Sequence, residues 1–257
     1  GPDGTRIETP MLMCGSFSDA NLHSRGSFRA FVQAGSPDRH LFTHRTGKWA
    51  AFYGDEAKAV ERAFLDTHLK GAASAVPRVR LEVRERGDLI HAIREEDVWP
   101  PETRPLLLHL ADGGRLSLSP GRTGSSVSVP GRGRAATFSW VFPGDTEVTG
   151  EARVRLRVGA AVAGRVSIFV GLSKWSGGRF VPFEGSYGFG RDLVTTGLRR
   201  LDVHGAPTEV EIDFAPSATF FRAGDELRLH VAARQLSPRN PLTGAFPALY
   251  RSGARAG

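Results

Sequence analysis

Two residues in this sequence are of the types and in the order that could run a nucleophilic reaction. They are Asp19, which ends Met11-Leu-Met-Cys-Gly-Ser-Phe-Ser-Asp19, and His44, which ends Leu41-Phe-Thr-His44. Each follows a short apolar run, and a parallel strand delivers the residues at its carboxyl end into the crevice where such proteins place their sites. A carboxylate bonded to one imidazole nitrogen fixes the tautomer, and the other nitrogen then takes a serine proton. The chain order serine, acid, histidine is one of those in which the set occurs, and here acid precedes base. The serine is missing: no Gly-x-Ser-x-Gly segment occurs. Gly15-Ser-Phe-Ser-Asp contains the acid itself, while Gly185-Ser-Tyr-Gly follows the histidine and lacks the spacing. Neither Ser16 nor Ser186 is therefore read as the nucleophile. By spacing alone, Asp19 as a turn or cap residue and His44 as a solvated loop histidine is the favoured reading.

The remaining chemistry-bearing residues point nowhere else. His23, one turn after Asp19, is placed to share its cleft, and His40 reads as a surface residue. His68 reads as packed or capping on a helix. His91, His109, His204 and His230 are dispersed without metal-site spacing. The single cysteine, Cys14, excludes an intrachain disulfide and a Cys-rich metal centre. It lies in an apolar run and reads as a buried structural thiol. No metal and no cofactor are expected. Glu95-Glu96-Asp97 reads as a solvated charged edge rather than a glycosidase pair.

The elements that must position Asp19 and His44 are legible over residues 1–75. Met11–Cys14 and Arg39–Thr43 read as strands. Ser24–Ala34 carries Phe28, Phe31 and Val32 at helical spacing and stops at Gly35. Asp55 opens a second helix as its cap, with Val60, Ala63, Phe64 and Leu69 on one face and Gly71 closing it. Strand, helix, strand, helix implies a parallel sheet, and two strands are too few to complete one. From residue 76 the pattern changes. Val79, Leu81 and Val83 alternate with Arg78, Arg80, Glu82 and Arg84, as in a half-buried strand. Further strand runs are expected at Leu106–Leu110, Ala136–Phe142, Ala152–Val158, Arg165–Lys174, Thr208–Phe214 and Glu226–Ala232. Gly121–Arg134 reads as a long exposed loop. Short strands without helices indicate an antiparallel sandwich, a jelly roll. The expected organisation is thus α/β plus all-β: 1–75 as the C-terminal remnant of a hydrolase sheet, 76–257 as a jelly-roll domain.

Composition narrows the class further. The 257 residues are 40% hydrophobic and 24% charged, ordinary for a protein with a sizeable core. The net charge of +7 is carried almost entirely by scattered arginines. Nucleic-acid binding would call for one basic face with interleaved aromatics, so no nucleic-acid partner is expected. No apolar stretch is long enough to span a bilayer, so no membrane partner is expected. Gly1-Pro-Asp-Gly-Thr-Arg, without Met or an apolar signal region, reads as a fragment or processed end. One free thiol without a leader suggests a cytoplasmic location.

Longer motifs make the reading specific. His40-Leu-Phe-Thr-His44-Arg-Thr-Gly-Lys-Trp49-Ala-Ala-Phe-Tyr-Gly54, Phe64-Leu-Asp-Thr-His-Leu-Lys-Gly71 and Pro77-Arg-Val-Arg-Leu-Glu-Val resemble the CocE/NonD hydrolases, relatives of cocaine esterases and X-Pro dipeptidyl-peptidases. Asp145-Thr-Glu-Val-Thr-Gly150, Phe183-Glu-Gly-Ser-Tyr-Gly-Phe-Gly190, Pro216-Ser-Ala-Thr-Phe-Phe-Arg-Ala-Gly-Asp-Glu-Leu-Arg-Leu229 and Pro238-Arg-Asn-Pro-Leu-Thr-Gly-Ala-Phe-Pro247 are similar to the C-terminal β domain of that family. The resemblance implies a serine acyl hydrolase acting on a small ester or amide, with Asp19 and His44 as triad acid and base. Trp49, Phe52 and Tyr53 become candidates for the substrate pocket, although core aromatics explain them as well. The family's N-terminal segment, with its serine elbow and oxyanion-hole donors, has no counterpart here. Leu198–Val210 is shorter than in relatives, and the closing strand after Tyr250 is missing. The chain alone is accordingly expected to be inactive, its partner being the missing hydrolase segment or a second polypeptide. The exposed edge of the half-sheet also favours association, including homo-oligomers. The alternative reading is a non-catalytic binding or interaction module, with Trp140, Trp175 and Phe180 as ligand-face candidates, or one half of a split hydrolase.

Overall fold

A computed structural model describes residues 3–19, 23–73, 76–121, 126–131, 134–160, 162–185, 191–204 and 206–236. The expectations placed on Ser186, on Pro238–Pro247 and on the chain end after Tyr250 lie outside the described residues.

After a short 3-10 turn at Gly4–Arg6, β1 (Met11–Ser16) leads through α1 (Ser24–Gln33) to β2 (Arg39–His44). The two strands pair in parallel, with Met11 opposite Arg39 and Ser16 opposite His44. In α1, Phe28 and Phe31 are buried, as their spacing predicts, while Val32 turns outward and is half exposed. A one-turn helix absent from the sequence reading, α2 (Lys48–Phe52), precedes α3 (Asp55–Lys70). The N-cap of α3 is Gly54 rather than Asp55. Asp55 and Glu56 instead sit in the first turn, where their charge suits the helix dipole. Gly71 closes α3 with φ +70°. This left-handed conformation is costly for any residue with a Cβ.

The rest of the described chain is strand and loop. The strands are β3 (Val79–Arg86), β4 (Leu89–Glu96), β5 (His109–Ala111), β6 (Arg115–Ser117), β7 (Ala136–Val141), β8 (Thr146–Gly150), β9 (Arg153–Val158), β10 (Gly164–Ser176), β11 (Arg179–Val181), β12 (Thr195–Val203), β13 (Thr208–Asp213), β14 (Ser217–Phe221) and β15 (Glu226–Ala232). Of the expected run Leu106–Leu110, only its last two residues enter a strand. Leu106 and Leu107 stay exposed in the approach to it. The described part of Gly121–Arg134 contains no strand.

Among the described residues the strands form three sheets. One runs β1-β2-β3-β14-β8 with β4 against β3, the second runs β11-β10-β15-β7-β6-β5 with β12 against β10, and β9 pairs with β13. The first has a direct consequence for the site. β2 pairs in parallel with β3 through Leu41↔Val79 and Phe42↔Arg80. The β1–β2 pair is therefore not an isolated remnant, and its sheet continues into strands of the following β region.

Two cores follow from this layout. Phe17, Phe28, Phe31, Leu41, Val79, Leu81, Val83, Trp99 and Phe220 pack α1 onto one face of the first sheet. Phe28 lies between Phe17 and Trp99, at ring separations of 5.1 and 4.7 Å. A second core joins Phe138, Val170, Leu172, Val210, Ile212 and Leu229 of the other two sheets with Phe221 of β14. The alternation expected in β3 is present, but its consequence differs. The charged positions Arg80, Glu82 and Arg84 are buried along with Val79, Leu81 and Val83. A strand in the middle of a sheet has no solvent face when loops and helices cover it, and the charges must then satisfy one another.

Candidate functional site

Parallel pairing brings the carboxyl ends of β1 and β2 to the same level. Ser16 lies opposite His44, and the Phe17 amide donates to the His44 carbonyl at 2.8 Å. The chain then turns. The Ser18 amide donates to Ser16 Oγ at 3.2 Å, and the two hydroxyls are 2.8 Å apart. Asp19 follows at the entrance to α1, its carbonyl accepting from the amides of His23 and Ser24 at 3.1 and 3.2 Å. The Ser24 hydroxyl donates back to the Ser16 carbonyl. Asp19 is thus a turn residue and also a buried acid, 1% exposed. Its Oδ2 lies 3.2 Å from Lys48 Nζ and 3.9 Å from His23 Nε2. Lys48, at the start of α2, went unread in the sequence, because a lysine bordering aromatic residues resembles any solvated charge.

His44 is buried as well, at 3% exposure. Its Nδ1 lies 3.1 Å from the Thr46 carbonyl, which also accepts from Ser18 Oγ at 3.0 Å. A carbonyl only accepts, so Nδ1 carries the proton and Nε2 is left with the lone pair. Burial pushes the imidazole below its ordinary value of 6.5, against the pull of Glu82, and Arg80 and Arg84 push it down further. The ring is therefore neutral near pH 7, the state in which a histidine can act as a base. The structure places His44 at the end of β2, with the Thr46 carbonyl on Nδ1, and Asp19 in the turn three residues past the end of β1, with Lys48 on its carboxylate.

The aromatic candidates are grouped separately. Trp49 and Tyr53 stack at 6.0 Å, and both are more than half exposed. Phe52 meets Tyr53 edge-on at 5.2 Å. Phe52 also lines a groove of about 310 Å³ with Leu12, Cys14, Phe42, Val60 and Phe64, which neither Asp19 nor His44 lines. Burial pushes the Cys14 thiol there up to about 11, which leaves almost no thiolate to attack at neutral pH. Among the other histidines, His40 proves part-buried, between Asp38 and the Pro77 carbonyl. His68 packs on the Phe64 ring and approaches Asp38 at 3.4 Å. Trp140 packs against the second core, while Trp175 is roofed by Arg228 at 3.7 Å and bonded to Ser173. They do not form an exposed row with Phe180. Among the described residues no group of three or more His, Cys, Asp or Glu could hold a metal, and no helix is long and apolar enough to cross a membrane.

Comparison with known proteins settles the family. The family of the X-Pro dipeptidyl-peptidase C-terminal non-catalytic domain matches residues 71–247. This chain belongs to that family. Cocaine esterase from Rhodococcus sp. (strain MB1 Bresler) is 31% identical over 131 residues, 49% of this chain and 20% of that protein. A crystal structure of a CocE/NonD family hydrolase from Staphylococcus aureus superposes with a TM-score of 0.86 at 25% identity, over 98% of this chain and 51% of that one. An α-amino acid ester hydrolase shares the fold with a TM-score of 0.67 at 16% identity, over 96% of this chain and 50% of that one. The chain spans about half the length of these solved relatives and corresponds to the C-terminal portion of a CocE/NonD hydrolase.

Proposed function

We propose that this chain is the acid-and-base portion of a serine acyl hydrolase that cleaves esters or amides, X-Pro peptides included. His44 takes the serine proton through Nε2 and returns it to the leaving group, with the Thr46 carbonyl fixing the ring at Nδ1, and Asp19 is the acid whose charge stabilises the imidazolium. The observation that carries this reading is the buried His44, its Nδ1 on the Thr46 carbonyl, in register with the strand end that leads to buried Asp19. The nucleophile and the oxyanion-hole donors belong to a preceding segment or to a partner chain. Among the described residues no strand pairs with the outer edge of β1, and that edge and the groove beside it suit the rest of a parallel sheet. Trp49, Phe52 and Tyr53 are then covered by that segment and border the acyl pocket. Residues 76–257 act as a jelly-roll brace, and the whole works in the cytoplasm.

The test pairs the chain with the hydrolase segment supplied by its own reading frame or by a neighbouring gene. Turnover of p-nitrophenyl esters or X-Pro anilides is expected, and His44→Ala should lower kcat by about 10⁶-fold. Undiminished turnover in that variant would overturn the assignment. The chain alone should resist a fluorophosphonate probe, and stoichiometric labelling of one of its own serines would show that the nucleophile is already here. A second reading, a non-catalytic binding module, is favoured by the description of the matched family as non-catalytic. Sugar-induced melting shifts across a glycan panel would support it, and a blank panel would remove it.

A further inference from the structure

The residue directly after His44 is the largest fully buried side chain in the described structure, and no catalytic role explains it. Arg45 is 1% exposed. Its amide donates to Glu82 Oε1 at 2.9 Å. Its guanidinium crosses to the β region, donating to the Val194 carbonyl at 2.7 Å and the Leu193 carbonyl at 2.5 Å. The guanidinium carbon lies 4.5 Å over the Phe183 ring. Phe183 is itself pinned to Asp192 by reciprocal backbone bonds of 3.1 and 2.9 Å. The other residues flanking His44 are held as closely. Thr43 accepts from the Glu82 amide and from Arg80, at 2.9 and 2.6 Å. Thr46, whose carbonyl holds the His44 ring, accepts from Arg84 at 2.8 Å through its hydroxyl. Arg84 bonds Glu82 Oε1 at 2.6 Å, so the same carboxylate ties the Arg45 amide to the holder of Thr46.

We infer that Arg45 is a positioning residue through which Phe183, Asp192, Leu193 and Val194 of the β region hold the His44 ring against Thr46. The inference rests on the reading of His44 as the base. The argument is one of cost. A guanidinium wholly withdrawn from water is strongly destabilising unless it is well compensated. Here two carbonyls of a distant segment take its Nη donors, the Phe183 ring covers its face and Asp192 supplies opposite charge, while Nε has no hydrogen-bond partner. Such an anchor has one good geometry, because the planar fork meets both carbonyls only in one orientation. The backbone next to His44 is then fixed to within the tolerance of those bonds. Any shift of Phe183, Leu193 or Val194 is carried to the histidine through a single peptide unit.

The test reads the histidine itself, by nitrogen-15 NMR titration of the imidazole in the intact chain. The charged groups acting on that ring are Glu82, Arg80 and Arg84, and all three are retained. In Arg45→Met the His44 titration should move further below the ordinary histidine value, because the Thr46 carbonyl bond that raises it is loosened while burial, Arg80 and Arg84 still lower it. The Nδ1 proton should exchange roughly tenfold faster, as loss of a hydrogen bond implies. Arg45→Lys, which can reach one carbonyl, should fall between. Ile212→Ala, in the second core, serves as a control of similar instability that should leave the His44 titration unchanged. If Arg45→Met does not fold, Phe183→Leu removes only the aromatic shelf and should shift His44 in the same direction. An unchanged His44 titration in the folded variants would overturn the inference, as would an equal shift in Ile212→Ala. These readouts need no serine. Failure of hydrolysis beside an intact Arg45 effect would count against the function alone.

Discussion

Glu82 shows what a single residue has to do in the interior of this protein. It is 3% exposed, accepts from the Arg45 amide and Arg84, and faces Arg80 Nη1 at 3.5 Å. Breaking one partner out of a buried charged cluster leaves the others uncompensated in a medium that solvates them poorly. Glu82→Gln should therefore lower stability by about 3 kcal/mol. The value lies at the low end of the usual range because Arg80 keeps its paired bonds to Glu56 at 2.8 Å. Urea unfolding measures this, and a change below about 1 kcal/mol would show that the cluster is already solvated. At this scale the sequence was only half legible. Asp19 and His44 stood out because they end apolar runs. Arg45, Thr46, Lys48 and Glu82 did not, since nothing local distinguishes a buried arginine from a solvated one. The one available signal was the Arg-x-Glu-x-Arg alternation in β3, which offers opposite charges on the same face of one strand.

At the scale of elements, helices were read more faithfully than strands. α3 was bounded closely because its stop is chemical: Gly71 adopts φ +70°, and a Cβ placed there would meet nothing within 4 Å. The cost of Gly71→Ala is thus purely one of backbone conformation, about 1 kcal/mol by thermal or urea unfolding. Gly71→Asn should cost less, because asparagine tolerates the left-handed region. Equal stability for all three would mean that the α3 end frays and the cap carries nothing. By contrast β14, with Ser217, Ala218, Thr219, Phe220 and Phe221 all buried, shows no polar alternation and was missed as a separate strand. A strand covered on both faces loses the period of two by which strands are recognised. α2 was missed because a single turn is too short for a helical period to show.

For the whole molecule, burial of titratable groups sets how stability depends on acidity. His44 and His230 are both pushed below 6.5, chiefly by burial. As pH falls through 6.5 the unfolded chain takes up protons that the folded chain refuses, so this stability is present above 6.5 and is lost toward the lower folded values. Burial raises the Asp192 and Glu184 carboxyls, and those groups act with the opposite sign, at the acid end. Because both carboxyls are kept, the double variant His44→Gln, His230→Gln isolates the imidazole contribution. Its urea midpoint should fall less than that of the unchanged chain between pH 7.5 and 5.5. Parallel slopes would show that the two rings titrate as they do in the unfolded chain.

The sequence by itself determined the family, the β1-α1-β2 unit and the two residues at its strand ends. Those depend on short-range pattern: apolar runs, helical spacing, a glycine stop and motifs carried intact along the chain. Only the tertiary structure decided that β3 continues the sheet of β1 and β2 into the β region. The same is true of the burial of Arg80, Glu82 and Arg84 against the residues that flank His44. Those facts rest on contacts between segments far apart in the chain, such as Arg45 with Val194. Whether a charge lies in water or in the core is decided by what folds over it, which no local pattern records.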